Sequence, residues 1–379
     1  MKSLEYLKQL IRFPSVSCDS NLEVSRWVEQ TLQKLDFETE WIEYQDRNGV
    51  AKACVSGRKG PESGRGMAYF CHSDVVPVAS WSFPDSGPWQ PYQTEDRIYG
   101  RGSCDMKGSL ACMLAAVEQH PSGILSEPIH IVCTADEEVG LQGARYLAQN
   151  SAMYRTIVAR QCRAIIGEPT LLEVIHAHKG GRAMKITSRG LAAHSSTGNG
   201  INANMTMIPF LSGVHEMCAE IDGDPAWQDD RYVPPTISLN LGINDHTYAL
   251  NITPAQSVCT VYFRTMPTID AEVLVDRIRL LADQCGLQFE LLFAGDPVFT
   301  DPDSAFIHEL LQLTGTSTSH TVPYGTDGSC FSDLTDMAIL GPGSIEQAHK
   351  DDEWISLEQL KNGTELYSKL IQQWCTKPS

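Results

Sequence analysis

Three short apolar runs in this chain each end on an acid or a histidine, and that arrangement restricts the possible fold more than any other feature. Gly66–Cys71 is followed by His72 and Asp74, Ile129–Cys133 by Glu137 and Glu138, and Ile165-Ile166-Gly167 by Glu168. Short apolar runs bounded by polar turns read as buried strands. Segments of helical period lie among them, at Leu4–Ile11, Leu22–Leu35, Ser109–Glu118 and Gln142–Leu147. Strand and helix in alternation predict an α/β domain, three layers deep around a mostly parallel sheet. Ligands of such sheets bind beyond the carboxyl ends of the strands, so these acids and histidines fall along one edge.

From about His178 the texture changes. Arg182–Ser188 and Ser257–Arg264 alternate as half-buried strands do, Leu287–Phe293 reads as another strand, and helical stretches lie at Ala203–Ile221 and Asp270–Gln284. This predicts an inserted α+β domain with an antiparallel sheet over 178–294. Helical period returns at Ala305–Thr314 and Leu357–Trp374, so the first domain is expected to be discontinuous, 1–177 and 295–379. A chain of 379 residues exceeds what one core usually supports, which agrees with two domains.

The formal charge of -18 argues against nucleic acid and anionic membrane as partners, because both demand a basic face. No apolar run reaches membrane-spanning length. Met1–Phe13 has the amphipathic spacing of a helix rather than the uninterrupted apolar stretch of a cleaved leader. A cytoplasmic location is the expectation. Twelve cysteines occur at irregular spacings without a CxxC pair, several inside strand-like runs, and read as reduced core residues. Cys71 directly precedes His72, faces the other way on a strand and reads as packing.

Two divalent cations sharing a water need a mixed carboxylate and imidazole set, with one carboxylate bridging and one off the metal as a base. His72 and Asp74, two apart, point to one side of an extended segment. Asp105 lies in a bend with Gly100, Gly102 and Gly108, a backbone suited to presenting a bridging carboxylate. Lys107 beside it reads as a charge partner rather than a base. Of the adjacent Glu137 and Glu138, one can bind metal while the other faces the water. Glu168 follows a buried strand, and His349 follows the sharp turn Gly341-Pro342-Gly343. Singly, each has a plain alternative: a surface His–Asp pair, a Gly–Asp turn, a solvated acidic loop, a helix-start charge, a structural histidine. The conjunction of all five in this order does not.

Here the chain resembles the M20 family of di-zinc aminoacylases and peptidases, over essentially its whole length. His72-Ser73-Asp74-Val75-Val76-Pro77 is similar to the family's first metal motif, and Gly100-Arg101-Gly102-Ser103-Cys104-Asp105-Met106-Lys107-Gly108 to its second. The resemblance implies two zinc ions per subunit, with cobalt able to substitute. It places His72 and Glu168 on one, Glu138 and His349 on the other, and Asp105 between them. It implies Glu137 as general base and Asp74 as the partner that orients His72. Where Glu168 stands the family often has Asp, but both its deacetylase and its desuccinylase branches use Glu. Gly190-Leu191-Ala192-Ala193-His194-Ser195-Ser196 is similar to a lid-domain motif whose histidine, in dimeric relatives, enters the neighbouring subunit's site and supports the oxyanion. A homodimer through the lid is therefore implied. Asn251 and Arg264 match lid positions that contact substrate, against a strand-end turn and a surface ion pair as the plain readings. Gly325 and Thr326 match a loop whose amides line the substrate pocket, although Asp327-Gly328 is also a generic turn. The segments Leu340–His349 and His176–Gly180 are most similar to the acetylornithine deacetylase branch. An N-acyl amino acid, N-acetylornithine first, is thus the expected substrate. The alternatives are the desuccinylase, an acetylcitrulline deacetylase, a dipeptidase, or a non-catalytic relative that binds metal or amino acid.

Overall fold

The computed structural model describes residues 1–377. They form two compact units: Met1–Ala177 with Phe299–His320 and Thr326 onward, and His178–Val298 with Thr321–Gly325.

The first unit is built on a mixed sheet whose central strands run Ile129–Thr134, Met67–His72, Arg163–Ile166 and Met337–Ile339, all mutually parallel. Ala51–Lys59 and then Glu38–Gln45 extend it antiparallel beyond Ile129–Thr134. Met67–His72 and Ile129–Thr134 are buried at every position. That is why these runs are apolar throughout instead of alternating: both faces are covered. One face sends Met67, Tyr69, Cys71, Ile131, Cys133 and Ile165 into a core shared with helices Lys2–Ile11, Lys107–Glu118 and Leu357–Cys375. On the other, Phe70 packs on Phe331 with ring centroids 4.5 Å apart, and Phe331 packs on Tyr154 at 5.2 Å. Tyr154 belongs to helix Ala152–Arg160, which begins where the Ser151 hydroxyl accepts from the Tyr154 N–H. Helix, sheet and helix give the three layers. All twelve cysteines are free thiols, and Cys71 lies in the core as its alternation required.

Two features go beyond the sequence reading. The helix expected from Ser109 starts at Lys107, whose buried ammonium donates to the Phe13 carbonyl at 2.9 Å instead of meeting a carboxylate. Burial pulls its pKa down to about 7. Trp354–Ser356 returns beside Arg97–Tyr99 in a small three-stranded sheet, an assembly without a continuous apolar run to announce it.

The second unit is a four-stranded antiparallel sheet, ordered Asn240–Asn244, Gln256–Thr265, Gly180–Arg189 and Gln288–Gly295. Along Gln256–Thr265 the buried residues are Ser257, Cys259, Val261, Phe263 and Thr265, the period of two that half-buried strands show. Helices Ala203–Gly223 and Ala271–Gln284 pack on it, capped by Asn202 and Asp270.

Candidate active site

The parallel strands of the first unit bring the sequence-selected residues to one edge. His72 is the last residue of its strand, and the turn carrying Glu137 and Glu138 follows Thr134, which pairs with His72 across the sheet. Glu168 follows Ile166 on the next strand. Asp105 and His349 arrive on loops.

His72, Asp105 and Glu168 place one donor atom each within 4.8 Å of one another, and so do Asp105, Glu138 and His349. Asp105 belongs to both groups. Its Oδ1 lies 3.3 Å from His72 Nε2, and its Oδ2 lies 3.4 Å from His349 Nε2. His72 Nε2 is 3.7 Å from Glu168, and His349 Nε2 is 3.0 Å from Glu138. Glu137, next in sequence to Glu138, is in neither group.

The imidazole of His72 is set by its other nitrogen. Nδ1 lies 3.0 Å from the main-chain carbonyl of Asp74, which can only accept, so Nδ1 carries the proton and the lone pair of Nε2 faces Asp105. The Asp74 carboxylate, 3.7 Å from that Nδ1, has other partners. It accepts from the main-chain N–H groups of Glu137 at 3.2 Å and Glu138 at 3.3 Å, and from the Ser17 hydroxyl at 2.7 Å. Asp74 therefore fixes both the imidazole and the turn that presents the two glutamates.

Burial dominates the electrostatics. It pushes the carboxyls of Glu137, Glu138 and Glu168 upward, reinforced by the negative charges they share and offset by His72. The attraction of Asp105 and then Glu138 raises His349 to about 10. In His72 burial opposes the charged ring, but Asp105, Glu168 and Glu137 outweigh it and raise the pKa well above the usual range. Burial also opposes ionisation of Asp105, yet its two histidine neighbours hold it well below the normal carboxylate range. Acids and imidazoles thus favour a positive charge between them, which a cation at Nε2 of each ring would supply.

The donor set fits divalent cations. Two imidazoles and three carboxylates give nitrogen and oxygen ligands only, a set that suits zinc. His72 Nε2 and Asp105 Oδ1 are buried without a hydrogen-bond partner, although they face each other. A cation would satisfy both lone pairs.

The residues matched by the sequence profile of peptidase family M20/M25/M40 are 68–373. The chain belongs to this family. It is 32% identical over 395 residues to the acetylornithine deacetylase of Proteus mirabilis (strain HI4320), covering 98% of this chain and 96% of the relative. It is 28% identical over 381 residues to the acetylornithine deacetylase of Myxococcus xanthus, covering 97% and 96%. Among solved structures, the M20 family metallo-carboxypeptidase Sso-CP2 from Sulfolobus solfataricus is similar in fold, with a TM-score of 0.78 at 16% identity and 99% coverage of both chains. A dinuclear metal binding peptidase of the M20 family from Bacillus subtilis gives 0.65 at 13% identity, with 97% and 96% covered. This M20 protein is thus a hydrolase with an α/β fold.

The remaining sequence-selected residues are not members of the two donor groups. In the second unit, His194 forms a bridge pair with Ile252, its Nδ1 lies 2.7 Å from the Ser196 hydroxyl, and the Asn251 carbonyl accepts from the Ser195 N–H at 2.9 Å. The exposed His194 and Asn251 are therefore neighbours. Arg264 lies over the Tyr262 ring, 5.2 Å from its centroid, and borders Gly325, where an added Cβ would sit 3.3 Å from its guanidinium. Thr326 is buried in the first unit, with its hydroxyl accepting from the Gly328 N–H at 3.0 Å.

Two supports of this M20 site escaped the sequence reading. The buried carboxylate of Glu353 accepts from the main-chain N–H groups of Gly102 at 2.8 Å, Cys104 at 2.8 Å and Asp105 at 2.9 Å, and from the Arg101 guanidinium at 2.9 Å. It clamps the loop that presents Asp105, where Gly102 (φ +80°) leaves no room for a Cβ against Lys107 and Val75. Behind the glutamate turn, Asp136 pairs with the fully buried Lys52 at 2.7 Å and accepts from the Tyr44 hydroxyl at 2.7 Å.

Proposed function

We propose that this M20 protein removes a small acyl group, acetyl, from the α-nitrogen of an amino acid, with N-acetylornithine as substrate and arginine biosynthesis as its setting. The observation that carries the chemistry is the cradle in which Asp105 faces His72 with one oxygen and His349 with the other. The acyl group rests on the similarity to acetylornithine deacetylases. His72 and Glu168 would hold one cation, Glu138 and His349 the second, and Asp105 both. Two bound zinc ions would acidify a shared water, towards a pKa of about 7 in favourable sites, and polarise the amide carbonyl. Glu137 takes the proton of the attacking water and returns it to the departing amine. Asp74 keeps Glu137 in place through its main chain. His194 of the partner subunit donates to the developing oxyanion, in a cytoplasmic homodimer joined through the second unit, with Asn251, Arg264, Gly325 and Thr326 contacting the substrate.

The deciding experiment is a panel of N-acetyl and N-succinyl amino acids and dipeptides, assayed with added zinc or cobalt. Highest kcat/KM on N-acetylornithine is expected. Preference for N-succinyl-diaminopimelate, N-acetylcitrulline or a dipeptide would move the assignment to that substrate, and cation binding without hydrolysis of any member would refute it. Chelation should abolish the activity, and added zinc or cobalt should restore it. Recovery without metal would show that the cradle is not the catalytic centre.

His194→Ala is expected to lower kcat by about 10²–10³, the effect of removing one oxyanion donor. Cation content should stay at the wild-type level. Loss of metal in parallel with rate would make His194 a ligand instead.

A further inference from the structure

At the far end of the strand that leads to Glu137, His130 interrupts the apolar run of Ile129–Thr134. Thr134 lies four positions further along, roughly 13 Å on an extended strand, so the surroundings of His130 are distinct from the cation cradle. In register, His130 stands opposite Arg58 on one neighbouring strand and Ala68 on the other, with Ala164 beyond. Cross-strand partners share a face, so His130 and Arg58 project to the same side of the sheet. Helix Ala152–Arg160 passes over this row and contributes Met153 and Arg160. The result is a cavity of about 410 Å³, lined also by Glu40 and Glu62.

One polar atom of the residues lining this cavity lacks a partner. His130 is 1% exposed, and its Nδ1 is buried without a partner, an exception that calls for an explanation in a protein interior. Arg160, the last residue of helix Ala152–Arg160, is exposed and lines the same cavity. Arg58 reaches Glu38 at the rim and Glu62 at 3.6 Å. The Glu40 carboxylate is already engaged by the start of the helix, accepting from the Ala152 N–H at 2.8 Å and from the Ser151 hydroxyl. An incompletely bonded buried imidazole and two guanidiniums line one cavity, a setting that suits an anionic acceptor.

We propose that this cavity is a second ligand site, which binds a small organic carboxylate between the guanidinium of Arg160 and the imidazole of His130, with Arg58 alongside. A carboxylate matches the planar fork of a guanidinium. Inorganic phosphate, with its higher charge, would meet Glu40 and Glu62, and Met153 offers an apolar wall to a carbon chain. Burial, followed by the charge of Arg58, lowers the pKa of His130 to about 4. The ring is therefore neutral at pH 7 and offers a single N–H to the ligand.

The test uses the metal-loaded full chain, titrated with acetate, succinate and inorganic phosphate while the ring nitrogens of His130 are followed by NMR. Saturable shifts with acetate or succinate are expected. Arg160→Ala, an exposed change in the last helical turn, should weaken them about tenfold or more. It should leave kcat/KM on the N-acyl amino acid unchanged, which separates this site from anion binding at the metals. His130→Gln should likewise weaken carboxylate binding measured by calorimetry. The proposal is overturned by the absence of a saturable response up to about 50 mM, a level beyond ordinary weak binding. It is also overturned if Arg160→Ala has no effect, or if phosphate binds more tightly than either carboxylate.

Discussion

Replacing Glu137 with alanine should cut kcat by at least about 10²–10⁴, the usual contribution of a positioned general base, while both cations stay bound. The two halves of this expectation rest on different observations. Cation retention follows because Glu137 belongs to neither cluster of three donor residues, whereas its neighbour Glu138 does. Rate loss follows from its surroundings. The Asp74 carboxylate holds its main-chain N–H at 3.2 Å, and its carboxyl feels His72, Glu168 and Glu138. Burial pushes its carboxyl upward, against the pull of His72. Glu137→Gln keeps the shape and loses the base, and should be as inactive as the alanine variant. Metal analysis alongside kcat at saturating substrate decides the matter. A near-normal kcat, or loss of one cation, would remove Glu137 from the role assigned to it.

The parts of the site legible in the sequence are those in which chemistry interrupts a simple pattern. His72 and Glu168 end strands buried on both faces, and a charged or titratable residue after four to six apolar ones stands out. Asp105 stands among glycines for a steric reason that the structure makes concrete at Gly102. Glu353 was invisible for the opposite reason. It sits in Asp351-Asp352-Glu353, which reads as a solvated acidic run, and its neighbour Asp352 is indeed exposed. Only the return of Trp354–Ser356 beside Arg97–Tyr99 carries Glu353 inward, and a pairing of two three-residue strands leaves no periodic trace. His130 was hidden inside a run read as apolar, where one imidazole among five residues does not break the strand signal. Lys107, beside Asp105 in sequence, reads as a charge partner, yet its ammonium donates to the Phe13 carbonyl.

Glu353→Gln should be among the most destabilising single changes in the first unit, although it alters one atom and no charge at the cation cradle itself. The two carboxylate oxygens divide four donors: one takes the N–H groups of Cys104 and Asp105, and the other takes Gly102 and the buried Arg101. An amide supplies one oxygen and one NH₂. Whichever way it is turned, donors meet donors on one side, and Arg101 loses its buried countercharge. Breaking a buried pair in this way costs about 3–5 kcal/mol, which for a unit of this size lowers the melting temperature by roughly 10 °C. The same loop presents Asp105, so cation affinity should fall about 10–100-fold, as it does when partners behind metal ligands are removed. Asp352→Asn, one residue away and exposed, is the matched control and should change neither quantity. Calorimetric melting with and without added zinc, together with zinc titration of both variants, reads the two effects separately. If Glu353→Gln melts like the wild type, the clamp is dispensable. If it melts lower but binds zinc with unchanged affinity, the loop keeps Asp105 in place without Glu353, and the coupling between fold and metal site argued here is wrong.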